Sequence, residues 1–123
     1  MSDLKMGVVE AKFADIIWDN EPISTKKLIQ ICEVQFEWKR TTTYTVLKRL
    51  CDRGIFLTDN SIVTSLISKE DFYAIQSENF VTDTFKGSLP AFLAAFSSRK
   101  SLSDEEIHEI QKMINMHKEK NHD

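Results

Sequence analysis

Cysteine and glycine are scarce in this chain: its 123 residues include two of the first and three of the second. Cys32 and Cys51 are too few for a disulfide framework and show no metal-ligand pairing. Both fall on apolar faces of expected helices, which predicts buried, reduced thiols. Each glycine stands alone, so no glycine-rich phosphate loop exists, and there is no nucleophile elbow or His/Glu metal motif. His108, His117 and His122 share no metal spacing with one another or with the cysteines. An enzyme is therefore not expected, and neither a cofactor nor a metal is implied. No run approaches the roughly 18 consecutive apolar residues of a membrane span. The opening residues, with Asp3 and Lys5 and no apolar stretch, lack the pattern of a secretion signal, so a cytoplasmic location is expected. Internal repeats, low-complexity linkers and long heptad runs are also missing.

What is present is ordinary for a folded soluble protein: 41% apolar and 28% charged residues. The length suits one compact domain, or a small domain with an oligomerisation segment. The net charge is −3, but its distribution is uneven. Between residues 39 and 53 stand Lys39, Arg40, Lys48, Arg49 and Arg53 against the single acid Asp52. That leaves 18 of the 19 acids and 11 of the 16 bases for the rest of the chain. A local positive field of this kind suits a nucleic-acid contact, although a basic helix is often only a solvated face.

Apolar spacing predicts a first helix from Val8 to Asp19, carrying Val9, Phe13, Ile16, Ile17 and Trp18 and stopped by Asn20, Glu21 and Pro22. Ser24 reads as the N-cap of a second helix that ends near Val34 or Phe36, with Leu28, Ile31 and Cys32 inward. A third is expected over Thr41 to Asp52, with Tyr44, Leu47, Leu50 and Cys51 as its buried stripe and Gly54 ending it. After Gly54 the period shortens. Ile55 to Thr58 and Ile62 to Ile67 are β-prone runs joined by Asp59-Asn60-Ser61, which is hairpin chemistry. Ser68 opens a fourth helix through Phe72, Ile75, Phe80 and Val81 to Phe85, broken by Gly87. A short helix follows at about Pro90 to Phe96. Ser103 and Glu106 form a capping box for a last helix bearing Ile107, Ile110, Met113 and Ile114, expected to fray after Met116.

Three helices and a hairpin are the order of a winged helix-turn-helix, in which the third helix enters the major groove. The expected fold is mainly α with a small β-hairpin: a DNA-binding domain at residues 1–70 and a helical dimerisation region at 71–123. The second part offers apolar stripes with little core of its own to cover them. Pairing with a second copy covers them, and packing onto the first domain is the alternative. The dimer is the expected solution, through Phe80, Phe85, Leu89, Phe92, Leu93, Phe96, Ile107, Ile110 and Ile114.

The candidate DNA contacts are Lys39, Arg40, Thr41, Thr42, Thr45, Lys48 and Arg49. Thr42, Thr45 and Arg49 follow one helical face, opposite Leu47 and Leu50. Threonine offers a hydroxyl and a thymine-facing methyl, and arginine bridges guanine O6 and N7. Lys39 and Arg40 suit phosphates, which fix register without reading sequence. Three of them have a plainer reading: an internal salt bridge for Arg49, helix capping for Thr41 and Thr42. Trp18 and Trp38 read as packing residues, and Phe80, Phe92 and Phe96 as either interface or monomer core.

The run Trp38-Lys39-Arg40-Thr41-Thr42-Thr43-Tyr44-Thr45-Val46-Leu47-Lys48-Arg49-Leu50, closed by Gly54, resembles the penicillinase-repressor family, the BlaI/MecI type of bacterial regulator. Upstream, Glu10, Ile16, Ile17 and Trp18 match. Downstream, Asn79-Phe80, Phe85-Lys86-Gly87, Phe96, Leu102-Ser103 and Glu106-Ile107 follow the family's dimerisation segment. No single motif is specific; their order and spacing from Met6 to Asn115 are. The resemblance implies a homodimer on an inverted-repeat operator of double-stranded DNA that blocks transcription. It also implies inactivation through a membrane sensor-protease system.

Four departures stand out. Thr41 replaces the family's lysine, and the segment Ile55 to Ile67 has no Lys or Arg. The family's scissile Asn-Phe bond aligns with Ala95-Phe96, where only the Phe matches, so cleavage by that partner is not carried over. The Cys-x-Cys motif of the copper-responsive branch is absent. Competing readings are a winged-helix module that binds protein, favoured by the acidic total charge, and an activator or ligand-binding regulator of another winged-helix family.

Overall fold

A computed structural model describes residues 6–121, so the readings placed on Asp3, Lys5 and His122 lie outside it. Among the described residues the chain forms six helices and a three-stranded antiparallel sheet. The order is α1 (Val8–Asn20), β1 (Ile23–Ser24), α2 (Thr25–Phe36), α3 (Arg40–Asp52), β2 (Phe56–Asp59), β3 (Ile62–Ser65), α4 (Lys69–Phe85), α5 (Leu89–Arg99) and α6 (Asp104–Lys120). The mainly helical reading with a small sheet therefore holds. By its contacts the chain divides into two units, Met1–Asn79 and Phe80–Asp123.

In the first unit, α1 turns Phe13, Ala14, Ile16 and Ile17 inward at helical spacing, while Val9 is exposed. Ser24 caps α2, its hydroxyl accepting from the Lys27 N–H at 3.0 Å, and Leu28 and Cys32 are fully buried. The hairpin turns on Asn60 and Ser61, both at positive φ (51° and 61°), the geometry that matches strand twist in a two-residue loop. Its strands pair Phe56 with Ser65 and Asp59 with Ile62. Strand β1, absent from the sequence reading, pairs Ile23 with Val63, so β3 is central. Two residues are too few for any periodicity to register.

One core cluster joins these elements through Phe13, Ile17, Leu28, Leu50, Ile55, Phe56, Val63 and Phe72. The end of β3 and the residue stretch after it are held to the end of α1 and the residue that follows it. Ser65 donates through N–H and hydroxyl to the Glu21 carboxylate (2.7 and 2.8 Å), and the Trp18 indole N–H donates to the Ile67 carbonyl (3.1 Å). Trp18 also lies 5.4 Å from Phe56 and 5.5 Å from Phe72 between ring centroids. Trp38 packs against Phe36 (4.7 Å) and Phe13 (5.7 Å). Both tryptophans are packing residues.

In the second unit, Phe80, Phe85 and Phe92 stack mutually at 5.7–6.1 Å, and Phe96 adds to Phe92 at 6.3 Å. Part of the monomer-core reading of these phenylalanines is thus realised, yet Phe80 and Phe96 stay half exposed. Gly87 takes φ +81° after α4, a conformation that costs a residue with a Cβ about 1 kcal/mol or more.

Two boundaries differ from the sequence reading. The short helix expected at Pro90 to Phe96 runs instead from Leu89 to Arg99, and the Lys100 N–H still donates to the Phe96 carbonyl at 3.1 Å beyond its end. The last helix does not stop at Met116 but continues to Lys120. Its capping box is formed at Ser103 and Glu106, and His117, Lys118 and Lys120 complement the dipole at the other end.

Candidate nucleic-acid interface

The buried side of α3 is made by Thr43, Val46, Leu47 and Leu50, at spacing i, i+3, i+4, i+7. This is rotated at its start from the expected stripe. Tyr44, expected inside, is 39% exposed, and Thr43 takes the core position instead. A phenol brings a polar tip that favours the water-facing side, whereas threonine is small enough for the space beside Cys32. Cys51 is only partly buried, against the expectation of two buried thiols, because the α3 stripe passes to one side of it.

All seven predicted contact residues lie on α3 or at its N-cap, and every one is exposed: Lys39, Arg40, Thr41, Thr42, Thr45, Lys48 and Arg49. The turn that presents them is fixed locally. Glu37 adopts the left-handed conformation (φ 57°), its N–H donating to the Cys32 and Glu33 carbonyls, and Trp38 anchors the chain on Phe13 and Phe36. The capping readings of Thr41 and Thr42 are not met. Lys39 is the N-cap, with its carbonyl accepting from the Thr42 N–H at 3.0 Å, which leaves both threonines inside the first turn with side chains in solvent.

The groove-facing chemistry is already partly engaged. The Thr45 hydroxyl donates to the Thr41 carbonyl (2.9 Å), so it faces outward as an acceptor with a methyl group. Lys48 pairs with Asp52 at 2.8 Å; both are well exposed, and the carboxylate raises the lysine's pKa. Arg49 meets Glu10 of α1 at 2.9 Å, so its internal salt bridge is present. The Glu10 carboxylate also accepts from the Gly7 N–H (3.1 Å) and meets Arg53 (3.5 Å). Arg49 first, then the Gly7 amide, hold the Glu10 carboxyl below the ordinary carboxylate range. Sequence reasoning missed this partnership, since nothing local links residues 39 positions apart.

Two further features of this face were not legible. Arg40 lies over the Tyr44 ring, 5.7 Å from its centroid. Beside them opens a cleft of about 400 Å³ lined by Ser24, Thr25, Lys26, Arg40, Tyr44 and Ser61, among others. The hairpin tip brings Asp59, Asn60 and Ser61 and no cation. Among the described residues no cluster of His, Cys, Asp and Glu is arranged to hold a metal, and no helix is long and apolar enough to cross a membrane.

Comparison with known proteins agrees with this architecture. The family model described as Penicillinase repressor matches residues 6–116. The methicillin resistance regulatory protein MecI of Staphylococcus aureus (strain Mu50 / ATCC 700699) is 29% identical over 110 residues, covering 86% of this chain and 89% of that protein. MecI of Staphylococcus epidermidis is 28% identical with the same coverage. A penicillinase repressor of Bacillus licheniformis is 26% identical over 113 residues, 89% of this chain and 88% of the relative.

Proposed function

The chain belongs to the penicillinase repressor family, and from that premise we propose that it is a transcriptional repressor, binding double-stranded DNA as a homodimer on an inverted-repeat operator. No catalytic role is proposed. The observation that carries the reading is the exposed face of α3, where three threonines and four cationic side chains stand on a helix seated rigidly in its core.

In this reading residues 1–70 supply the DNA contacts and residues 71–123 the contacts between copies. Lys39, Arg40 and Lys48 neutralise phosphates; an exposed Lys48–Asp52 pair contributes little and yields readily to a phosphate. Thr42 and Thr45 face base edges. Arg49 gives one guanidinium nitrogen to Glu10, and its other N–H groups remain to reach guanine O6 and N7. The hairpin, lacking Lys and Arg, adds little counterion release, so the salt dependence is set by cations on the helices. Exposure of Leu89, Ile107 and Ile114 supports pairing of two copies, since large apolar side chains in one segment favour cover. Two α3 helices related by a two-fold axis then address half-sites about one DNA turn apart.

Selection from a random duplex pool by the purified protein tests this: enrichment of an inverted repeat supports it, and an unenriched pool overturns it. The net charge of −3 and the uncharged hairpin favour a second reading, a module that binds protein through α3. Salt-sensitive duplex binding excludes that reading.

A further inference from the structure

The cleft beside α3 lies where the first turn of α2, the first turn of α3 and the hairpin tip meet. Among the described residues, its charged lining residues are the cations Lys26 and Arg40. Tyr44 forms part of the wall, with Arg40 stacked over its ring at 5.7 Å, so the ring is held from one face. Thr25, which is buried, and Arg40, which is exposed, flank the phenol and draw its pKa downward. Tyr44 is 39% exposed, and a phenol O–H can donate. A neutral donor in a cleft lined by two cations matches one ligand chemistry well, the non-bridging oxygens of a phosphodiester.

We propose that Tyr44 is a DNA-contacting residue whose phenol O–H donates to a backbone phosphate of the duplex, seated in this cleft between Arg40 and Lys26. This rests on the DNA-binding reading above and deepens it. Tyr44 sits one residue before Thr45, about 100° around the helix from the base-facing stripe, so its contact sets how α3 is seated and carries no sequence information itself. The cleft takes over the clamping role that the hairpin, without cations, does not fill.

Ethylation of individual phosphates on a duplex selected by the protein, followed by separation of bound from free DNA, tests the assignment. The wild-type chain is compared with Tyr44→Phe, which keeps the ring beneath Arg40. The expected result is loss of interference at one phosphate per half-site, with affinity about 2- to 10-fold lower. The salt slope stays the same, because a neutral hydroxyl releases no counterion. Lys26→Gln is expected to weaken interference at that same phosphate and to reduce the slope by about 0.9 per half-site. An interference pattern unchanged in both variants, with or without a loss of affinity, overturns the proposal while leaving DNA binding intact. A wild-type chain that selects no duplex overturns the DNA-binding reading itself, and this assignment with it.

Discussion

Arg49 serves two masters, and separating them gives the sharpest test of how α3 is built. Its guanidinium meets Glu10 at 2.9 Å; the arginine side chain is 47% exposed and the glutamate 16%. Exposed pairs contribute about 0.2–1 kcal/mol; here one partner is mostly covered and also accepts from Gly7, which places the coupling near the upper end, about 1 kcal/mol. Arg49→Ala and Glu10→Gln are each expected to lower the unfolding free energy by roughly that amount, about 4 °C in Tm for a unit of this size. The double variant should be less destabilised than the sum of the two by about 1 kcal/mol, measured by urea titration. Their effects on DNA should diverge. Arg49→Ala removes a contact worth ~1–3 kcal/mol of specific binding, whereas Glu10→Gln keeps the cation and retains affinity within a few-fold. The pH dependence has a definite sign. Glu10 titrates below its ordinary 4.5 in the folded chain, so its contribution is complete above that value and disappears as pH falls through the folded-state pKa. The stability gap between wild type and Glu10→Gln should therefore be flat from about pH 6 to 8 and close in acid. Additive single-variant effects, or a Glu10→Gln chain that loses as much DNA affinity as Arg49→Ala, would refute the reasoning.

Other outcomes are expected elsewhere. Phe72→Ala empties a fully buried site shared by Trp18 and the α1 face, and should cost about 3–5 kcal/mol in chemical denaturation; a loss under 1 kcal/mol contradicts that packing. Ile114→Asp changes an exposed position outside the phenylalanine cluster, so sedimentation should show a folded monomer with weakened operator binding. A monomer that binds normally sinks the dimer. Thiol labelling of the native chain at pH 8 should modify Cys51 before Cys32, whose burial raises its pKa to about 11; the reverse order would contradict the burial.

The order of elements was legible because each helix carries a start or stop that acts locally: Ser24, Ser68, Ser103, Gly54 and Gly87 all do in space what their chemistry implies. What escaped was decided over distance. Glu10 finds Arg49 only because α1 and α3 share a core, and β1 exists only because β3 offers it an edge. Tyr44 and Thr43 exchanged places because counting tyrosine as apolar ignores its hydroxyl, while counting threonine as polar ignores how small it is. The exposure of the seven candidate residues was readable as a group, since Leu47 and Leu50, recognised as inward, leave them the outer face. Their prior engagements with Asp52, Glu10 and the Thr41 carbonyl were not.

A nuclease footprint of the purified protein on the DNA upstream of its own gene, at low and at moderate salt, tests operator binding by α3. A protected inverted repeat with half-sites about one helical turn apart, weakening as salt rises, is the predicted result. Protection without sequence preference, or none at low salt, would contradict an operator-binding repressor acting through α3.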